Sequence, residues 1–249
     1  MFSNFIYFII VLLIYTTYQP TEETNFSLGE TCIFFIAFIV AFASFCRLQF
    51  HKLEKRILRE NFVYLDHQFS VTLSRQFIMS IMLFAIDIYG LNLPSFFIPI
   101  PFFSVAPTIQ ALIFLLLFTF YLAIVWGCAY DVYQKLYPAD ISRRSYIQAN
   151  ISLAVPVLLP WFLLSIFTDL IKVLPYAPLR IFFSTTEGEV LCFLVFLFLV
   201  VIIGPDLVRR FWRCKPLKPG YHRKRIENLC RKAGLEYANI LYWPMFGGG

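Results

Sequence analysis

Asp87, in the stretch FAIDIYGLN, is the one carboxylate set inside an apolar run of this chain. An ionisable group is costly to keep in hydrocarbon, so such a residue is a candidate for proton or ion chemistry. It lies toward the outer end of its run with Asn92 close behind, where it could reach interfacial water or cap a neighbouring backbone. The structural role is the expectation, because a proton or ion path needs a partner and no second clear acid or base stands at similar depth. Gln110 and Asn150 are the other strong polar candidates, both near run ends. Pro156 and Pro160, in ISLAVPVLLPWFLLSIF, stand four apart and share one face of any helix. Each removes a backbone donor and frees a carbonyl, which predicts a kinked or partly unwound helix. No charged residue accompanies them, so a kink is preferred to a transport site.

Other chemistry is sparse. His51, His67 and His222 fall in charged or polar stretches, none is spaced four residues from another, and none is followed by glutamate. The H-E-x-x-H zinc motif is therefore absent, as are a P-loop, a G-x-S-x-G elbow and a dinucleotide fingerprint. Cys32, Cys46, Cys128, Cys192, Cys214 and Cys230 form no C-x-x-C pair. That argues against a thiolate metal site and a disulfide framework, although Cys32 and Cys192 are both expected near the outer face.

What must position these residues is a membrane domain. Of the 249 residues, 59% are hydrophobic and only 14% charged, far from the composition of a soluble domain. Apolar runs at 2–18, 31–50, 77–91, 107–127, 151–167 and 190–203 predict an all-α polytopic protein with about six transmembrane helices. The first run lacks a positive n-region and a small-x-small cleavage site, so it reads as a retained span. Residues 93–106 carry Pro94, Pro99 and Pro101 and cannot form a regular helix; they should lie at the interface or be covered by neighbours. Most of the thirty phenylalanines fall inside the apolar runs, for lipid contact or helix packing.

The net charge of +6 could suggest nucleic acid, but its distribution follows the positive-inside rule instead. With the N-terminus inside, only Lys172 and Arg180 of the 21 Lys and Arg residues fall outside. Glu22, Glu23, Glu30, Asp169, Glu187 and Glu189 collect on that other side. The reading is a multi-pass protein of a bacterial cytoplasmic membrane, both termini cytoplasmic, with the lipid bilayer as its partner and no nucleic acid. After the second run, Leu53, Ile57 and Leu58 alternate with Lys52, Lys55, Arg56 and Arg59. This predicts an amphipathic extension along the anionic leaflet, or a docking surface for the C-terminal segment. Trp126, Tyr130, Tyr133 and Tyr137 read as an interfacial aromatic belt.

After residue 208 the character changes. Arg209, Arg210, Arg213 and Lys215 form a basic collar suited to anionic lipid headgroups. From Tyr221 the spacing of Ile226, Leu229, Cys230 and Ala233 predicts a helix, with Gly234 as its C-terminal cap, and ANILYW has strand character. Residues 209–249 thus read as a cytoplasmic linker and the beginning of a small α+β domain; an amphipathic helix lying on the bilayer is the alternative.

The segment RRFWRCKPLKPGYHRKRIENLCRKAGLEYANILYWPMF resembles the linker between membrane helices and catalytic domain in HtpX-type and CaaX-endopeptidase-like membrane zinc metallopeptidases, metallopeptidase family forty-eight. The likeness covers residues 209–246, with weaker echoes in SRQFIMSIMLFAIDIYGLNLPSF and SRRSYIQANISLAVPVLLPW. It implies a zinc held by the two histidines of H-E-x-x-H and a downstream glutamate, with the motif's own glutamate activating water against a peptide carbonyl. The 249 residues end before that motif, so no catalytic or metal residue carries over, and zinc is expected only with a downstream catalytic domain. A non-catalytic scaffold, or a small transporter built on Asp87 and the Pro156/Pro160 helix, is the competing expectation.

Overall fold

A computed structural model describes residues 3–19, 26–56, 62–97, 99–105, 107–137, 141–173, 177–183, 185–212 and 214–242. The fold is all-α. Helix α1 spans Ser3–Thr16, α2 Leu28–Arg56 and α3 Phe62–Ala85, the last continuing as a π turn over Ile86–Gly90. A 3-10 turn at Leu93–Phe96 and a short α4, Pro101–Val105, lead into α5, Pro107–Leu136. Then follow α6, Arg143–Val173, α7, Ala177–Phe183, and α8, Thr186–Phe211. A two-residue strand β1, Lys215–Pro216, precedes α9, Tyr221–Lys232, and pairs antiparallel with β2, Leu241–Tyr242.

Among the described residues, four helices are long and apolar enough to cross a membrane: α2, α3 with its π turn, α5 and α8. The apolar parts of α1 and α6, Ile6–Thr16 and Pro160–Ile171, are shorter. The protein is therefore a helical membrane protein. Helix α6 runs unbroken through Pro156 and Pro160, without the expected unwinding. The proline-rich stretch forms no long helix, but it is not wholly irregular: it breaks into the 3-10 turn and the five-residue α4, which Pro101 starts, and Pro94 is buried.

The starts of the helices follow local rules. Ser27 and Glu30 form a capping box at α2: the Ser27 amide donates to Glu30 Oε2 at 2.8 Å and the Glu30 amide to Ser27 Oγ at 3.4 Å. Thr185 caps α8, accepting from the Gly188 amide at 3.2 Å. Glu187 and Glu189 occupy the first turn of α8 and Arg209 and Arg210 its last, both favourable to the helix dipole.

Helix α5 is the axis of the bundle, packing against α1, α2, α3, α4 and α6. Its buried residues Phe114, Phe118, Tyr121, Val125, Ala129 and Val132 recur at helical spacing. Phe118 receives Phe8 edge-on at 5.2 Å and Phe84 at 6.0 Å, while Trp126 meets Phe77 at 5.7 Å. In lipid there is little hydrophobic drive between helices, so such pairs, worth about 0.5–1.5 kcal/mol each, matter through shape and dispersion. Trp126 is 1% exposed and belongs to this core, not to an interfacial belt. Leu53 is likewise buried in the core, so the end of α2 turns its apolar side to the bundle rather than to lipid; Ile57 and Leu58 lie outside the described residues. Helix α8 is the opposite case, apolar and almost entirely unburied.

The α7–α8 turn depends on one glycine. A Cβ at Gly188 would stand 1.9 Å from the Phe182 carbonyl oxygen, a backbone atom that cannot swing aside. Gly188→Ala is expected to cost at least about 1–3 kcal/mol and lower the melting temperature in lipid nanodiscs. Gly29→Ala, at a position with open space, is the matched control and should leave it unchanged.

Candidate functional site

Asp87 sits in the π turn after α3, where the Leu91 amide reaches the Ile86 carbonyl at 2.8 Å, one residue further back than in an α-helix. The wider turn carries the Asp87 side chain into the bundle, where it is fully buried and so does not reach interfacial water. Its Oδ2 accepts a hydrogen bond from the Tyr121 hydroxyl on α5, also fully buried. Its Oδ1 has no hydrogen-bond partner among the described residues. A buried carboxyl group with one donor and one bare oxygen is costly to hold in an apolar bundle. Single-turn π segments frequently accompany functional positions.

Asn92 closes the turn in the left-handed region, at φ 52 and ψ 37, a conformation asparagine tolerates better than most residues. Its Oδ1 accepts from the Tyr18 hydroxyl beyond α1, and its carbonyl accepts from Ser95 Oγ at 2.7 Å and the Ser95 amide at 3.1 Å. The Asn92 side chain thus ties the turn to Tyr18, and only its main-chain carbonyl caps the 3-10 turn; neither of the roles expected of Asp87, reaching interfacial water or capping backbone, is seen in its contacts. Tyr89 adds a second link to α1, donating to the Ile14 carbonyl at 2.9 Å with Thr17 Oγ1 at 2.7 Å. Asp169 on α6 accepts from the Thr108 amide at 3.0 Å, setting a negative charge at the start of α5. Gln110 reaches the Pro94 carbonyl at 3.4 Å and Asn150 the Tyr146 carbonyl at 2.9 Å, both structural contacts.

The partner of Asp87 is none of the charged side chains of the sequence. Tyr121 is a phenol on the buried stripe of α5, one helical turn from Phe118 and Val125. Its presence on that stripe was the available signal, because a buried tyrosine hydroxyl needs an acceptor. Tyr130 and Tyr133 of α5, and Tyr137 just past its end, also turn inward. Tyr130 donates to the Ile141 carbonyl at 2.5 Å, Tyr133 packs on Tyr146 at 4.5 Å, and Tyr137 donates to Asp66. The Asp66 bond, with burial adding to it, pushes the Tyr137 hydroxyl up to about 12, so it remains a donor at neutral pH.

Of the proline pair, Pro160 is exposed on α6; the surroundings of the Pro156 ring lie outside the described residues. In the expected basic collar, Arg209 and Arg210 both reach back to Asp206, at 2.6 and 2.9 Å, and remain largely exposed. Lys215 is exposed on β1, and Arg213 lies outside the described residues. The boundary drawn at 208/209 falls inside α8.

The tail folds as a helix beside a short strand pair. Arg223 on α9 gathers it, donating to Glu227 Oε1 at 2.8 Å, the Leu217 carbonyl at 2.6 Å and Asn239 Oδ1 at 3.3 Å. Gly234 adopts φ 65 after α9, and the Leu235 amide returns to the Cys230 carbonyl at 2.9 Å, the expected left-handed C-terminal cap. All six cysteines are free thiols, and no group of three or more His, Cys, Asp or Glu side chains among the described residues is arranged to hold a metal ion.

Compared with known proteins, the chain matches no family model, no curated protein and no solved structure.

Tyr121→Phe would leave both Asp87 oxygens buried without a donor, at a cost of about 1–3 kcal/mol. The melting temperature in nanodiscs should fall clearly, whereas Asp87→Asn, which retains a hydrogen-bonding amide, should stay near the wild type. Equal stability of Tyr121→Phe and wild type would show that the pair holds nothing together.

Proposed function

We propose that the chain is the membrane-embedded N-terminal portion of a zinc metalloendopeptidase acting on proteins or peptides at the membrane. The observation that carries this reading is the tail. Its R-x-R-I-E-x-L-C-R-x-A-G segment forms α9, capped at Gly234, and Arg223 of that segment ties the helix to the loop before it and to Asn239 ahead of β2. A helix and strand pair at the end of a membrane helix is what the family resemblance implies for the entrance to a catalytic domain. The basic residues crowded at one end of the helices further support a reading in which both termini, and that domain, are cytoplasmic, with six spans in all.

The residues of this sequence do not themselves fit a catalytic zinc. His51, His67 and His222 lie on separate elements without H-E-x-x-H spacing, so zinc and the general base belong, in this reading, to sequence beyond Gly249. The 249 residues by themselves are expected to hold no stoichiometric zinc and to cleave no peptide. Reading the gene past Gly249 tests the proposal directly: an in-frame H-E-x-x-H, with chelator-sensitive cleavage by the longer product, supports it. A stop codon without that motif sinks it.

The fully buried Asp87, with one bare oxygen, favours a second reading as a scaffold or small transporter. That reading requires a pH-dependent flux in vesicles that Asp87→Asn abolishes; the peptidase reading expects no such flux.

A further inference from the structure

A polar cavity of about 460 Å3 lies between α2 and the start of α6, with α5 as its floor. Its size is in the range of small-molecule sites, about 300–1,000 Å3. Arg47, His51 and Glu54 contribute from α2, Cys128 and Asp131 from α5, and Arg143 from α6. Helices α2 and α5 run in the same direction here, because Lys135 near the end of α5 meets Glu54 near the end of α2 at 2.7 Å. Ile124 and Gly127 therefore line the deep part of the cavity, toward the apolar body of the bundle, and the charged groups its rim.

The charges at the rim do not balance. Both oxygens of Asp131 are taken by Arg143, at 2.8 and 2.7 Å. Glu54 is shared between Lys135, at 2.7 Å, and His51, at 3.2 Å. Arg47 has no ion pair or side-chain hydrogen bond among the described residues, although it lines the same cavity. Counting Lys135, which pairs with Glu54 without lining the cavity, three full cations meet two carboxylates, and the one left unpaired is a guanidinium, whose fork suits a phosphate. The position of Arg47 also matters. It ends the apolar stretch of α2, and on the same face two and three turns back toward that stretch Val40 and Ile36 are exposed, at 58% and 60%, on a helix that spans the membrane. A molecule that puts an anion on Arg47 and hydrocarbon on Val40 and Ile36 is an anionic lipid, and basic pockets between spans accept such headgroups.

We propose that this cavity binds a phosphate ester, held by Arg47, and that its source is the headgroup of an anionic phospholipid whose acyl chains lie along α2. The site is separate from the collar at Arg209 and Arg210, where Asp206 already neutralises part of the charge.

The test uses the full chain in nanodiscs of phosphatidylcholine with a small fraction of phosphatidylglycerol. Retained lipid is counted by native mass spectrometry, and the melting shift given by phosphatidylglycerol is read against each variant's own value in pure phosphatidylcholine. Wild type should retain one phosphatidylglycerol per chain and gain melting temperature. Arg47→Gln should weaken that binding about tenfold and lose the shift, Arg47→Lys should recover part of both, and the Arg209→Ala/Arg210→Ala double variant should keep them. Because each shift is self-referenced, a less stable Arg47→Gln protein still reports. Inorganic phosphate as competitor separates the sources: no displacement supports the lipid, while displacement together with loss in Arg47→Gln keeps the anion site and overturns the lipid assignment. Retention and shift unchanged in Arg47→Gln, or lost equally in the collar variant, overturn the site.

Discussion

In hydrocarbon a buried polar group has no water to turn to, and this fold meets that constraint along a single helix. Helix α5 takes a carboxylate from α6 on its first turn, through the Thr108 amide, and a buried carboxyl group from α3 at its middle, through Tyr121. At its far end Lys135 holds Glu54 of α2, and just beyond the helix Tyr137 holds Asp66 of α3. Each bond fixes a neighbouring helix at a definite height along α5, while the aromatic stripe between them supplies contact area without direction. Apolar side chains alone would let these helices slide; the polar pins set the register.

How far this was legible in the sequence depended on how local the signal was. Helices α2 and α5 were plain, because an apolar run near the thickness of the bilayer has one common fate. The cap at Gly234 and the helix from Tyr221 were plain for a similar reason, since both are written within a few turns of chain. The partner of Asp87 was not, because Tyr121 stands 34 residues away and carries no charge to advertise itself. The π turn that brings the two together has no sequence signature in FAIDIYGLN. Trp126 was read as an interfacial residue because tryptophan near a span end usually is; here the wall of α3 and its Phe77 reach that far and cover it. Leu53 was misplaced on the same logic, since the bundle extends past the apolar run and continues to bury one side of α2.

The charged rim illustrates a related limit. Arg47, Glu54, Asp131 and Arg143 look in sequence like ordinary residues of a basic membrane face. Only their pairing in space separates committed charges from the uncommitted one, and two of those pairings span helices. The same holds for the tail, where Arg209 and Arg210 read as free lipid contacts but each leans one turn back on Asp206. In both places the pairing of the charges, not their number, was what the sequence did not display.

Helix α8 is continuous from its Thr185 cap to Phe211, with Pro205 inside it, and is almost wholly unburied along its apolar length. A helix of that length is about 39 Å long, and its packing within the bundle is chiefly against α6 and α7. A span with so few neighbours answers to bilayer thickness mainly through its tilt. A change in tilt of about 10° would carry its far end sideways by roughly 7 Å, and with it whatever is attached to the tail.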